Sequence, residues 1–182
     1  MPRPYKILMP EQKRNVLDFD WAFFFYWLMA TTFGWLLGWL LLPTIALVTA
    51  GVGAGVMQCL VLTRRIPHAW QWALAAAAGW MVGVGIALFA APPGLGLLTG
   101  AVIGATTGTA QWSLLRLQVR WAGWWIAISI LAWATALSLA PASGVVALPP
   151  IVLSGVMAAV PTGLALELLL RNPRAEGKAR GA

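Results

Sequence analysis

Residues 104–116 read Gly104-Ala105-Thr106-Thr107-Gly108-Thr109-Ala110-Gln111-Trp112-Ser113-Leu114-Leu115-Arg116, and Gly123-Trp124-Trp125 follow. The two glycines, four residues apart, share a helix face on which another backbone can approach closely. Gln111 comes next on that helix, and the stretch ends on a charge at Arg116. Going back along the chain, no Asp, Glu, Lys or Arg occurs until Arg65. That interval of roughly 50 residues holds two apolar spans of ~20 residues and a turn.

The same order of residue types occurs twice more. Gly51, Gly55 and Gln58 precede Arg64, and Ala159, Gly163 and Leu166 precede Arg171. The helix before each stretch carries two tryptophans eight residues apart: Trp27 and Trp35, Trp72 and Trp80, Trp125 and Trp133. Gly34, Gly79 and Ala132 stand before the second Trp of each pair. Trp is a scarce residue, so three aligned pairs mark an internal repeat more specifically than the glycines do. The pattern predicts an all-α integral membrane protein of six transmembrane helices, near residues 21–42, 45–63, 70–90, 95–115, 122–139 and 148–170. These form three two-helix repeats, about 21–65, 70–117 and 122–171, within a membrane domain spanning residues 21–170. Each unit holds an even number of spans, so the copies insert in parallel around a pseudo-threefold axis, unlike the inverted repeats of many transporters.

Charge orients the bundle. The basic residues fall into four clusters: Arg3, Lys6, Lys13 and Arg14; Arg64 and Arg65; Arg116 and Arg120; and Arg171, Arg174, Lys178 and Arg180. Basic residues beside short loops mark the cytoplasmic side. The opposite turns, around Pro43, 91–94 and 141–150, contain no charge. Both termini are therefore expected in the cytoplasm, with a tail over 1–20, in which Glu11 to Asp20 offers a short interfacial helix, and a basic tail over 171–182. No cleavable signal peptide is expected, because the first twenty residues are polar, charged and interrupted by proline.

Composition agrees. Sixty per cent of the 182 residues are hydrophobic and 9% are charged, against about 25% charged in soluble domains. Such a chain is neither disordered nor, with Cys59 its single cysteine, a disulfide scaffold. The net charge of +7 belongs to the topology and calls for no nucleic acid.

The interior offers few groups for chemistry. Gln58 and Gln111 lie about five residues inside the basic ends of their helices, roughly 7 to 8 Å deep at 1.5 Å per residue. Buried amides there need partners, either across helices or on a ligand. Trp35, Trp80 and Trp133 lie near mid-depth, where they pack the repeat interface or stack on an apolar ligand. Trp21, Trp70, Trp121 and Trp124 read as interfacial belt residues. The set Gly51, Gly55, Gly104, Gly108, Ala159 and Gly163 reads as helix close-packing. Glu167 is the one acid within a predicted span; an intramembrane carboxylate suggests a proton or cation site, but Arg171 at i+4 makes an interfacial ion pair the plainer reading. His68 is expected in an exposed loop, and Pro161 to kink the last helix, with Thr162 helping to satisfy the freed backbone. No phosphate loop, zinc spacing, HExxH, GxSxG or acidic pair is present, so neither an enzyme nor a metal site is expected.

The unit of small-xxx-small, Gln, Leu-Arg and then a Trp-rich helix resembles a group of uncharacterised bacterial multi-pass membrane proteins over most of residues 21–171. The resemblance implies this fold, in a bacterial inner (cytoplasmic) membrane, and no activity. Three functions follow as expectations. The first is a noncatalytic membrane subunit or scaffold packing against other membrane protein subunits and lipid. The second is a transporter or channel for a small neutral or lipophilic solute. The third is a subunit of an energy-transducing assembly that binds a pigment, quinone or lipid, although no cofactor is specifically called for.

Overall fold

The computed structural model describes residues 19–42, 45–90, 96–139 and 148–174. The three uncharged turns fall largely outside these residues, as do the suggested interfacial helix at 11–20, apart from its last two positions, and the tail beyond Arg174. Among the described residues the chain is all-helical, with α1 Trp21–Leu41, α2 Ala46–Leu62, α3 Trp70–Ala90, α4 Gly96–Leu115, α5 Trp124–Leu139 and α6 Leu148–Leu170. These bounds lie within two residues of the six apolar stretches read from the sequence. Three of the helices, α1, α3 up to Phe89, and α6, are long and apolar enough to cross a membrane. The apolar α2 and α5 are shorter, at 17 and 16 residues. Helix α4 is diluted by Thr99, Thr106, Thr107, Thr109, Gln111 and Ser113.

Each helix packs on its neighbours in the chain, and α6 closes on α1, so the six form a ring. Small residues set the spacing of that ring. A methyl group added to Gly34 would run into the backbone of Gly53, and one added to Gly104 into the backbone at Ser129. Backbones this close gain dispersion contacts that longer side chains would prevent.

The helix ends carrying the arginines are laced together. Asp20 caps α1 by accepting from the Phe23 N–H at 2.9 Å, and its carboxylate pairs with Arg65 beyond α2. Its own N–H donates to Glu167 of α6 at 3.1 Å. One residue thus ties α1 to both ring neighbours. The Phe23 N–H, followed by the Arg65 guanidinium, holds the Asp20 carboxyl below its ordinary value, against the opposing effect of burial. Residues 118–120 and 172–174 also join: Arg120 N–H donates to Asn172 and Arg174 N–H to Gln118. Helix α6 runs unbroken through Pro161, and Thr162 donates its hydroxyl to the Ala158 carbonyl at 2.6 Å.

Candidate functional site

The ring encloses two triangles of tryptophan. Trp27, Trp72 and Trp125, from α1, α3 and α5, form the one nearer the arginine-bearing ends, with ring centroids 6.0, 6.3 and 5.4 Å apart. Eight residues further along each of the same three helices, Trp35, Trp80 and Trp133 form the second, at 5.5, 5.2 and 4.8 Å. The two layers are about 12 Å apart along the helices at 1.5 Å per residue. Their mutual angles run from 43° to 89°, the tilted and edge-to-face arrangements that bring positive ring edges to negative faces. All six indoles are almost wholly buried.

The helix repeat explains why these rings meet. Positions 27 and 35 are two turns apart, with Thr31 midway, on one side of α1; Ala76 and Ser129 hold the corresponding place between the other pairs. The even-numbered helices present small residues to the rings. Gly51 is where the Trp80 ring lies, so that an added Cβ would overlap it, and Gly163 faces Trp27. Gly55 meets Ala76, while Gly104 and Gly108 meet Ser129. Ala159 is fully buried.

Polar groups fill the first triangle's outer edge. The Trp72 N–H donates to Gln58 Oε1 and the Trp125 N–H to Gln111 Oε1, both at 3.0 Å. The Trp27 N–H donates to Thr162 Oγ1 at 3.1 Å. Gln58 also donates through Nε2 to Thr31 Oγ1 at 3.0 Å. Leu166, which stands where glutamine would repeat, packs with the first triangle in an apolar cluster that includes Phe23, Leu62, Ile66, Leu115 and Val119. Thr162, one turn earlier, takes over as acceptor. In the second triangle only Trp35 has a side-chain acceptor among the described residues, Ser154 Oγ at 2.9 Å.

Between the layers lies a space of about 10 Å³, lined among others by Gln58, Gln111, Thr107, Ser129, Thr162 and Trp80. The hydroxyls of Thr107 and Ser129 are buried there without a hydrogen-bond partner among the described residues.

The structure therefore brings Gln58, Gln111, Trp35, Trp80 and Trp133 together at the centre of the ring. Glu167 sits apart, bonded to Arg171 Nε at 3.0 Å as well as to the Asp20 N–H. His68 is exposed, with a φ of 56°. Among the described residues no three His, Cys, Asp or Glu side chains converge. Sequence reasoning placed Trp27, Trp72 and Trp125 in the aligned pairs but did not single them out, and it gave Thr31, Thr107, Ser129, Ser154 and Thr162 no place in a site. The available signal was a hydroxyl or small residue midway between each Trp pair, and a second one just before Gly108 and Gly163. Compared with protein-family models, with curated proteins and with solved structures, the chain matches none of them.

Proposed function

We propose that the chain is a noncatalytic scaffold subunit of a membrane protein assembly. In this reading its six helices all cross the membrane as three parallel two-helix repeats around a pseudo-threefold axis. The arginine-bearing ends and both termini face the cytoplasm of a bacterial cell, across its inner membrane. The observation that carries the reading is the centre of the ring. Two tryptophan triangles fill it, and the carbonyl oxygens of both glutamines are spent on indoles. A solute path along the axis would have to separate both layers, and a flat pigment or quinone has no slot between rings already in contact with one another. The interior thus serves to hold the bundle rigid. What remains for function is the outer surface, where Leu74, Met81 and Val82 of α3 stand exposed and where an interface of apolar helix faces is available.

Isolation in mild detergent from the native membrane tests this. The expected result is a membrane partner held at fixed stoichiometry, released by Leu74→Lys or Met81→Lys, which leave both triangles alone. A chain that stays monomeric and partner-free, or that carries a neutral solute into liposomes, overturns the reading.

A further inference from the structure

A groove of about 650 Å³ lies between α1 and α2, on the outside of the ring. Its floor and walls are Phe23, Tyr26, Met29, Phe33, Met57 and Leu60, and its mouth is Asp20, Arg64 and Arg65. Along α1 it runs from position 20 to 33, about 20 Å at 1.5 Å per residue. That length covers the half-thickness of a bilayer's hydrocarbon core, ~15 Å, with room for a polar group at one end.

The charges at the mouth do not cancel. Arg65 is paired with Asp20 and lies 5.1 Å from the centre of the Phe23 ring. Asp20, its carboxyl held below the ordinary range by the Phe23 N–H and by Arg65, is ionised at neutral pH. Arg64 is exposed and has no hydrogen bond or ion pair among the described residues. Among the described residues the mouth therefore keeps one uncompensated guanidinium, whose planar donors suit a phosphate oxygen pair. The corresponding arginine of the next hairpin is placed differently: Arg116 lies over the Trp112 ring at 5.1 Å. The cavity between α3 and α4 is lined by Ala78, Gly79, Val82, Ala105, Thr106, Thr109 and Ala110 with no cation.

From this juxtaposition of an apolar groove and an unpaired guanidinium at its mouth, we infer that the α1–α2 groove is a binding site for one anionic phospholipid. The headgroup phosphate lies against Arg64, and an acyl chain lies along Tyr26, Met29 and Phe33. The occupant is an anionic rather than a zwitterionic lipid because, among the described residues, the mouth carries one net positive charge once Asp20 is paired with Arg65.

Native mass spectrometry of the delipidated full chain, titrated with phosphatidylglycerol or phosphatidylcholine, tests the site. One phosphatidylglycerol should be retained about fivefold more strongly than phosphatidylcholine, the size of effect expected from one guanidinium beside a headgroup of net negative charge. Arg64→Gln should erase that preference, and Met29→Trp, which fills the groove at an exposed position, should weaken both lipids. Arg120→Gln, an exposed arginine at another hairpin, should change neither. Equal losses from Arg64→Gln and Arg120→Gln would show diffuse surface charge and overturn the site. So would displacement of the lipid by soluble glycerophosphate at matching concentration, or retention that appears only after residues 2–18 are deleted, which would make that segment the occupant. Unchanged thermal unfolding of each variant, followed by tryptophan fluorescence, keeps a folding defect from passing as lost binding.

Discussion

The two tryptophan triangles are built from the same three helices but are held by different means. In the first, all three indole N–H groups have acceptors: Thr162, Gln58 and Gln111. In the second, only Trp35 has a side-chain acceptor among the described residues, and the rings approach more closely, to 4.8 Å for Trp80 and Trp133. The first triangle is positioned by directional bonds that fix each ring's orientation. The second relies on ring contact and on small neighbours such as Gly51, Ala50 and Ala158. The difference matters because a buried bond fails differently from a packed surface. Losing a bond leaves a polar orphan, whereas losing packing leaves a hole.

The largest effect should come from removing a ring outright. Trp72→Ala and Trp35→Ala should each cost about 3–5 kcal/mol, the range for deleting a buried Trp or Phe, read as loss of unfolding midpoint in detergent. Equal losses would show that volume dominates in both layers, and a much smaller loss at Trp35 would break the claim that the second triangle is a packing unit. Adding volume is the next test. Gly51→Ala places a Cβ where the Trp80 ring lies and should cost about 1–3 kcal/mol by overpacking. The near-ultraviolet circular dichroism of the second layer should change with it. A neutral Gly51→Ala would mean that Trp80 is free to move, and so is not locked against Trp35 and Trp133.

Much of this arrangement was legible in the sequence, because the helix period converts spacing directly into faces. Two tryptophans eight apart must lie on one side of a helix, and an uncharged interval from Arg65 to Arg116 leaves room for a helical pair. The six helix ranges follow from those facts. What spacing does not convey is rotation between helices. Nothing in the chain says which tryptophan of a pair sits beside a glutamine, since that depends on how far α2 slides past α3 and α4 past α5. Leu166 illustrates the limit. Read alone, it breaks the glutamine series and suggests an asymmetric site; in the fold Thr162, one turn away, supplies the missing acceptor. The bundle keeps the indole bond and discards the residue type. Thr107 and Ser129 were invisible for a related reason, since a lone hydroxyl in an apolar helix ordinarily bonds back to its own backbone.

Smaller effects separate bond from packing. Trp72→Phe removes the indole N–H and orphans Gln58 Oε1, which should cost about 1–2 kcal/mol beyond the matching Trp80→Phe change, where no acceptor is abandoned. Adding Gln58→Leu to Trp72→Phe should recover part of that difference, giving a coupling of about 0.5 kcal/mol or more in a double-mutant cycle. No coupling would mean that the first triangle, too, is held by packing alone. At the arginine-bearing ends, the Asp20 carboxyl has its value lowered in the folded state from an ordinary 3.8. Its stabilising effect is therefore present above that ordinary value and is lost as pH falls through the lower folded-state one. Asp20→Asn, which keeps a capping oxygen, should flatten this acid-side decline and change neutral stability by no more than about 1 kcal/mol. A decline of unchanged steepness would place the titrating group elsewhere.

The smallest expected effect is the most discriminating. Thr107 and Ser129 bury hydroxyls between the two layers with no partner among the described residues, so the folded state already bears the cost of their desolvation. Replacing them with groups of similar shape removes that cost and breaks no bond. Thr107→Val and Ser129→Ala should therefore be neutral or stabilising by up to about 1 kcal/mol, although a Thr-to-Val exchange in a core usually destabilises when its hydroxyl is bonded. A clear loss in both variants would mean that these hydroxyls hold something at the centre of the ring. The layer between the triangles would then be a binding layer, and the contrast between a bonded and a packed triangle would need a third component.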